Sequence, residues 1–495
     1  MMSAESNRAP RRLLSLWPLG LLTVALVALR WGTYTVPPTW DSAMTIWPAG
    51  IEIAARNSVT EVLQLPSYAD GGPNSHTLSL VTLLTALLIE IGGVDLAVIA
   101  MHILNTALLL GLGFLVARTV SGLASEAAGW LTASIVVLFP LMVSQSAYLY
   151  TELPTAFFVF LALAFAMSRR PFVSTLSLTV AILIKPLALV AVPALCMVAW
   201  RKGGKRREIA APLLALLGLV PALIVPQAEA SRDIVESLKE LTQLSWYWAT
   251  TAPELILLTA IPVIAALVLR LRGGSKEQWH WAWASTTLMV TFIGFFALNA
   301  VVTVGHFFLP RYFVMLIAPT MVLLAIAVSG LRNTAQVAVL SFVIAGSLIG
   351  VRGPFALGSK SPLPPVAERS LAFIDLLGEH QAGLDRLAAI GSAGIPVFHD
   401  QYASYAYSYP EMGLHAGGVQ NATRVLSGDL RAGLAELPDR FAMLITVPFL
   451  GGERLFWVKG LAESDPNYRV SVEQIESTRA FPVEIVSVDR VKTSG

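Results

Sequence analysis

Charge is scarce in this chain. Of its 495 residues only 13% are Asp, Glu, Lys or Arg, against about 25% in a soluble globular domain. That shortage, with 55% hydrophobic residues, excludes an ordinary soluble protein. The formal net charge of +2 is too small for a nucleic-acid-binding surface. Cysteine is almost absent: the single Cys196 lies inside an apolar run, so no disulfide framework exists and the redox compartment is not readable from thiols. Internal repeats and low-complexity segments are also lacking.

What the chain has in abundance is apolar runs, at 13–31, 76–92, 94–117, 124–143, 153–168, 172–184, 186–200, 209–226, 253–270, 281–304, 312–330 and 335–351. About 20 such residues in a helix cross the hydrocarbon core of a bilayer. The first run follows Arg8, Arg11 and Arg12 but no small-x-small cleavage site precedes Tyr34-Thr35, so it is expected to be a retained span rather than a signal peptide. Basic clusters at Arg8/Arg11/Arg12, Arg169/Arg170, Arg201–Arg207 and Arg270/Arg272/Lys276, and weakly Arg332, mark the cytoplasmic side. Counting from both ends puts Asp41 and Glu152 outside, which leaves room for only two crossings among the three runs between them. Run 76–92, opened by His76-Thr77-Leu78-Ser79 and closed near Glu90, is expected not to cross. Runs 172–184 and 186–200 then form a hairpin with Lys185-Pro186 near its outer tip, and about eleven crossings result.

Beyond Arg352-Gly353-Pro354 the chain becomes polar. Helical spacing at 367–389 and β-like runs at 395–399, 441–447 and 484–488 predict a small α/β domain over 355–495. Residues 1–354 form the membrane domain, with an outer loop over 32–75. Within that loop the apolar residues Met44, Ile46, Trp47, Ile51 and Ile53 predict a surface-lying helix over 41–56, and Trp40 and Trp47 suit a headgroup depth.

The two acids at the ends of apolar runs, Asp41 in Thr39-Trp40-Asp41-Ser42 and Glu152 in Tyr150-Thr151-Glu152-Leu153-Pro154, face the same side. Asp70 and the turn Pro73 to His76 open the following run. A later run begins His306-Phe307-Phe308-Leu309-Pro310-Arg311-Tyr312. Structural duties compete at each position. Asp41 suits a helix N-cap and Glu152 a first helical turn. Lys185 suits a snorkelling cation, Arg311 an interfacial anchor, and His102 with Asn105 an interhelical hydrogen-bond pair. His399-Asp400, His415 and the Tyr402/Tyr405/Tyr407/Tyr409 group are read chiefly as structural.

The order of these features over 13–351 resembles the GT-C superfamily of membrane glycosyltransferases: an acid after the first span, a Pro/His-type turn, a second acid before a proline, and an Arg-Tyr at a late span. The family's His-Pro-Pro or Tyr-Pro-Pro is absent here. The resemblance implies a polytopic α-helical fold of GT-C type with an extracytoplasmic C-terminal α/β domain, in a bacterial cytoplasmic membrane. It further implies transfer of a sugar from a polyprenyl-phosphate donor to an envelope acceptor (glycan, lipid or protein), with membrane lipids as surroundings and no nucleic acid. By that resemblance Asp41 is the expected general base. Arg311 and Lys185 would bind the donor phosphate. His76, Tyr148, Tyr150, His306, Tyr312 and Asp70 would line the substrate site. Glu152 has three open roles: orienting the acceptor, binding the sugar, or sharing a divalent cation, Mg or Mn, with Asp41. Two rivals stand beside this reading, a transporter or lipid flippase and a non-catalytic envelope-assembly scaffold.

Overall fold

The computed structural model describes residues 15–36, 38, 42, 46–64, 79–220, 253–302, 310–351, 371, 382–383, 385–399, 419–421, 430–445, 453–475 and 483–491. Most of these residues are helical. A first helix, α1 (Trp17–Leu29), is followed by short helices α2 (Trp47–Arg56) and α3 (Val59–Leu63), then by α4 (Leu80–Leu123), α5 (Glu126–Leu138), α6 (Pro140–Ala147), α7 (Glu152–Met167) and α8 (Pro171–Ile184). A 3-10 turn over Pro186–Ala191 leads into α9 (Val192–Arg201), α10 (Arg206–Ala210) and a second 3-10 stretch, Ala211–Leu219. After residue 252 come α11 (Pro253–Arg272), α12 (Lys276–Val302), a 3-10 turn at Pro310–Phe313, α13 (Val314–Val328) and α14 (Asn333–Val351).

Glycine and proline set the breaks. Helix α4 is interrupted where Gly92 (φ −152°, ψ 17°) and Gly93 (φ 78°, ψ 178°) leave helical geometry. The Gly93 conformation is essentially open to glycine alone. The limb before the break, 80–91, spans only about 18 Å at 1.5 Å per residue, short of a ~30 Å hydrocarbon core. Its start is fixed by Ser79, whose Oγ accepts from the Thr82 amide at 3.1 Å. Helices α5 and α6 are bent by 53°. Phe139 precedes Pro140 and is held extended, at φ −62° and ψ 129°, as a residue before proline must be.

Among the described residues, two helices are long and apolar enough to cross a membrane, Leu80–Leu123 and Arg311–Val328, or three if α5 and α6 count as one broken span. The expected eleven crossings are not reached by that measure. The breaks at Gly93, Phe139 and Lys185 cut long apolar runs into shorter helices. The helices' exterior is nonetheless apolar: Phe172, Leu217, Val263 and Phe342 all face outward at more than two-thirds exposure. An exterior of that kind suits lipid, not water.

The hairpin expected around Lys185 is closed at its base. Arg169 Nη2 donates to the Lys202 carbonyl at 2.8 Å, and Lys202 Nζ donates to the Met167 carbonyl and to Glu277. The end of α7, the start of α8 and the end of α9 therefore meet at one end of the bundle. Glu152, at the start of α7, and Lys185, after α8, lie at the other.

The outer-loop helix is present over Trp47–Arg56, with Ile46 before it also in helical geometry; residues 41 and 43–45 of the expected helix lie outside the described residues. Trp47 is fully buried, so its ring packs inside the protein rather than facing lipid. Helix α2 lies against the first limb of α4, where Gly50 approaches the Thr85 side chain so closely that a Cβ would sit 3.0 Å from it. A bulky ring beside that close approach is enclosed.

The tail holds a five-stranded sheet built from β1 (Val397–His399), β2 (Val419–Asn421), β3 (Arg440–Ile445), β4 (Tyr468–Ile475) and β5 (Val483–Arg490), in the order β2-β1-β3-β5-β4. The pairs β1/β2 and β1/β3 are parallel, and β5 runs antiparallel to both β3 and β4. Side chains of β3 alternate between two covered faces. Phe441, Met443 and Ile445 pack with Leu434 of α15 (Leu430–Glu436) and with Leu455 and Val458 of α16 (Glu453–Ser464). Ala442 and Leu444 share the other face with Val397, Val483, Ile485 and Leu387 of the helical residues 385–392. Burial on both faces explains why all of 441–445 is apolar. The three expected strand runs are present in β1, β3 and β5.

Candidate functional site

Two backbone features bring the site's side chains to one place. Between α6 and α7 the chain turns through Tyr148–Thr151, and Leu149 there has φ 58°, a left-handed conformation that costs a branched residue energy. Its carbonyl accepts a 2.7 Å hydrogen bond from the Ser42 hydroxyl, buried and 107 positions away. Lys185 precedes Pro186 and is therefore extended (φ −149°, ψ 118°), which ends α8 and projects its side chain beyond the helix.

Glu152 is the centre. Its Oε1 lies 2.5 Å from Lys185 Nζ and 3.2 Å from Arg311 Nε. The glutamate and arginine side chains are 4% and 3% exposed, while Lys185 keeps 22%. The lysine is thus the member of the triad that solvent or a ligand reaches most easily. Rings back the cations: Arg311 lies 4.9 Å over Tyr150 and 5.5 Å over Tyr312, and Lys185 lies 4.6 Å over Tyr312. Two cations against one carboxylate leave one positive charge in this group of three.

Several expectations acquire positions. Glu152, Lys185, Arg311, Tyr150 and Tyr312 converge, although they come from three distant parts of the chain. Tyr148 and Tyr150 are buried, and their rings lie 5.8 Å apart. One face of Tyr150 is taken by the Arg311 guanidinium, which argues against both rings being open stacking surfaces. Asp41, Asp70, His76 and His306 lie outside the described residues, as do Asp400, His415, the Tyr402–Tyr409 group and the His399 side chain. Asp41 is, however, the covalent neighbour of Ser42, which is bonded to the turn that carries Glu152.

A divalent cation does not fit the described surroundings of Glu152. Its carboxylate already faces two cations, and a third would be repelled. No group of three or more His, Cys, Asp or Glu suited to a metal occurs among the described residues.

A second polar cluster had little signal in the sequence. Arg30 closes α1 and is fully buried, with its Nη1 2.6 Å from Thr106 Oγ1 and its Nη2 2.9 Å from His102 Nδ1. His102 was legible as an interhelical hydrogen-bonding residue; its expected companion Asn105 is buried with no partner for either amide atom among the described residues. Only the position of a lone arginine at the end of an apolar run marked Arg30.

Fold and site together define a class: a helical bundle with an apolar exterior, a buried ion-paired triad at one end and a small α/β unit after it. No protein-family model and no curated protein sequence matches the chain. Solved structures do. It is similar to ArnT from Cupriavidus metallidurans in the apo state, at 14% identity and TM-score 0.47 over 96% of this chain and 98% of that one. It is similar to the arabinofuranosyltransferase AftD from Mycobacteria, at 14% identity and TM-score 0.48 over 96% of this chain and 40% of that one. It is also similar to the Archaeoglobus fulgidus oligosaccharyltransferase, at 14% identity and TM-score 0.40 over 89% of this chain and 57% of that one.

Proposed function

We propose that this chain is a GT-C-type membrane glycosyltransferase that moves a sugar from a polyprenyl-phosphate donor to an acceptor of the cell envelope. The observation that carries the reading is the triad in which Lys185 and Arg311 share the Glu152 carboxylate at one end of the bundle. Glu152 is then neither a metal ligand nor the base. It holds two cations side by side. A sugar-phosphate-polyprenol diester carries one negative charge, which two adjacent cations attract.

In the proposed reaction the acceptor oxygen bonds to the anomeric carbon of the sugar as the bond from that carbon to the phosphate oxygen breaks. The electron pair of the broken bond goes to the leaving polyprenyl phosphate, where Lys185 and Arg311 stabilise the developing charge. The acceptor's proton passes to Asp41, one residue from the Ser42 anchor. The apolar exterior keeps the polyprenyl chain in lipid. The tail, which lacks the triad, selects the acceptor. The bundle end that carries the triad is the outer one, with the Arg169/Lys202 end in the cytoplasm.

The test is a transfer assay with the protein in lipid nanodiscs, a radiolabelled polyprenyl-phosphate sugar and an envelope extract as acceptor. Label should move to the extract with the wild-type chain and fall by about a hundredfold with Asp41→Asn. Equal transfer by both would remove Asp41 from the reaction, and no transfer by the wild type with any such donor would remove the activity.

A further inference from the structure

The Arg30 cluster lies apart from the triad, and every contact it makes beyond α1 reaches either helix α4 or the first residues of the outer loop. The Arg30 Nε donates to Thr33 Oγ1 at 3.3 Å, and its guanidinium stacks 4.8 Å over the Tyr34 ring. The two Nη groups cross to α4, at Thr106 and at His102 Nδ1. Because Nδ1 accepts from the guanidinium, the proton of a neutral His102 ring is on Nε2. That nitrogen donates to the Val36 carbonyl at 2.9 Å. Thr106 Oγ1 in turn donates to the His102 carbonyl at 2.8 Å, which orients it towards Arg30.

The chain leaving α1 is folded onto this cluster by two successive turns, Thr33 N–H to the Arg30 carbonyl at 2.9 Å and Val36 N–H to the Thr33 carbonyl at 3.2 Å. Six positions after Val36 comes the second anchor, Ser42 Oγ on the Leu149 carbonyl. The stretch containing Asp41 is therefore tied at one end to α4 and at the other to the turn before Glu152.

We propose that Arg30 and His102 are positioning residues for this reaction: they fix where the outer loop leaves the bundle, and so hold the Asp41 segment in register with the Glu152 turn. This rests on the glycosyl-transfer reading above. Neither residue touches the triad. A group misplaced by about 1 Å in a reacting geometry costs up to about a hundredfold in rate, so the effect is readable in turnover without any loss of donor binding.

The experiment compares His102→Leu, which fills the site without a donor, with His102→Gln, whose amide N–H reaches about as far as the ring Nε2. Arg30→Met and Arg30→Lys form the companion pair. Three quantities are read in nanodiscs: backbone hydrogen–deuterium exchange over 31–46, kcat for transfer, and affinity for polyprenyl phosphate alone. His102→Leu and Arg30→Met should speed exchange over 31–46 but not over 152–167. They should lower kcat about tenfold to a hundredfold and leave phosphate affinity within about twofold, as separate sites add independently. His102→Gln should restore most of the lost kcat. In an Asp41→Asn background the same substitutions should lower kcat no further. Unchanged exchange in His102→Leu, or the same fold-loss in both backgrounds, overturns the proposal. Wild-type turnover by Asp41→Asn is a different failure: it removes Asp41 as base, while faster exchange in His102→Leu would still support the loop anchor.

Discussion

Lys185 Nζ sits 2.5 Å from Glu152 Oε1 although the two residues are 33 positions apart and belong to different helical segments. The contact joins the first residue of α7 to the tip of the hairpin after α8. Arg311 completes it from a third segment. A carboxylate so enclosed has a defined job, and its removal has a specific consequence. In Glu152→Gln, the buried Arg311 loses the Glu152 charge, and deleting one partner of a buried pair costs about 3–5 kcal/mol. The melting temperature of the detergent-solubilised variant should fall accordingly. Added polyprenyl phosphate should raise it more than in the wild type, because the ligand's anion replaces the missing one. Equal stabilisation of both proteins would separate the triad from phosphate.

The Ser42–Leu149 hydrogen bond ties the segment next to Asp41 to the Glu152 turn, and Ser42→Ala removes it. A buried carbonyl then loses its donor, at a cost of about 1–3 kcal/mol. Stability should drop by that amount in chemical denaturation, and transfer should fall more than donor binding does. A variant with reduced donor affinity and normal turnover would contradict that role.

Gly93→Ala addresses the break in α4. At φ 78° and ψ 178° a Cβ is strained by about 1–3 kcal/mol, even though nothing within 4 Å would obstruct it. Thermal unfolding should shift down, whereas Gly122→Ala, also free of nearby atoms but with no positive φ, should be neutral or stabilising. Equal behaviour of the two would mean that the break does not constrain the fold.

Orientation is tested with single cysteines in a Cys196→Ala background. Thr60, Lys205 and Ser464 are exposed. Cysteines at Thr60 and Ser464 should react with an impermeant reagent in intact cells, and one at Lys205 only after permeabilisation. Labelling of the Lys205 position in intact cells would invert the topology.

Much of the site was legible because charges are costly in an apolar chain. Glu152, Lys185 and Arg311 each stand at the edge of an apolar run, and that position marked them as candidates before any contact was known. Proline was equally readable: it ends α8 at Lys185 and bends the chain at Phe139. What sequence could not supply was the pairing. Nothing local says that residue 152 faces 185 and 311, or that Ser42 reaches Leu149. The burial of Trp47 was not readable, because an aromatic in an amphipathic stretch has the same pattern whether it meets lipid headgroups or a neighbouring helix. In the tail, β1, β3 and β5 were readable as apolar runs. Strand β4 was not, since Tyr468–Ile475 is an edge strand with mostly exposed side chains and has no apolar run to announce it.

The central claim is that Lys185 and Arg311 form the phosphate site. The most direct measurement is equilibrium binding of polyprenyl phosphate to the wild type, Lys185→Ala and Arg311→Lys in nanodiscs, at one ionic strength. Arg311→Lys keeps the charge but loses the planar fork, and each substitution should weaken binding by about tenfold or more, the scale of a lost charge-assisted contact. The double variant should lose less than the product of the two, because both cations act on one anion. Wild-type affinity in both single variants would contradict the account.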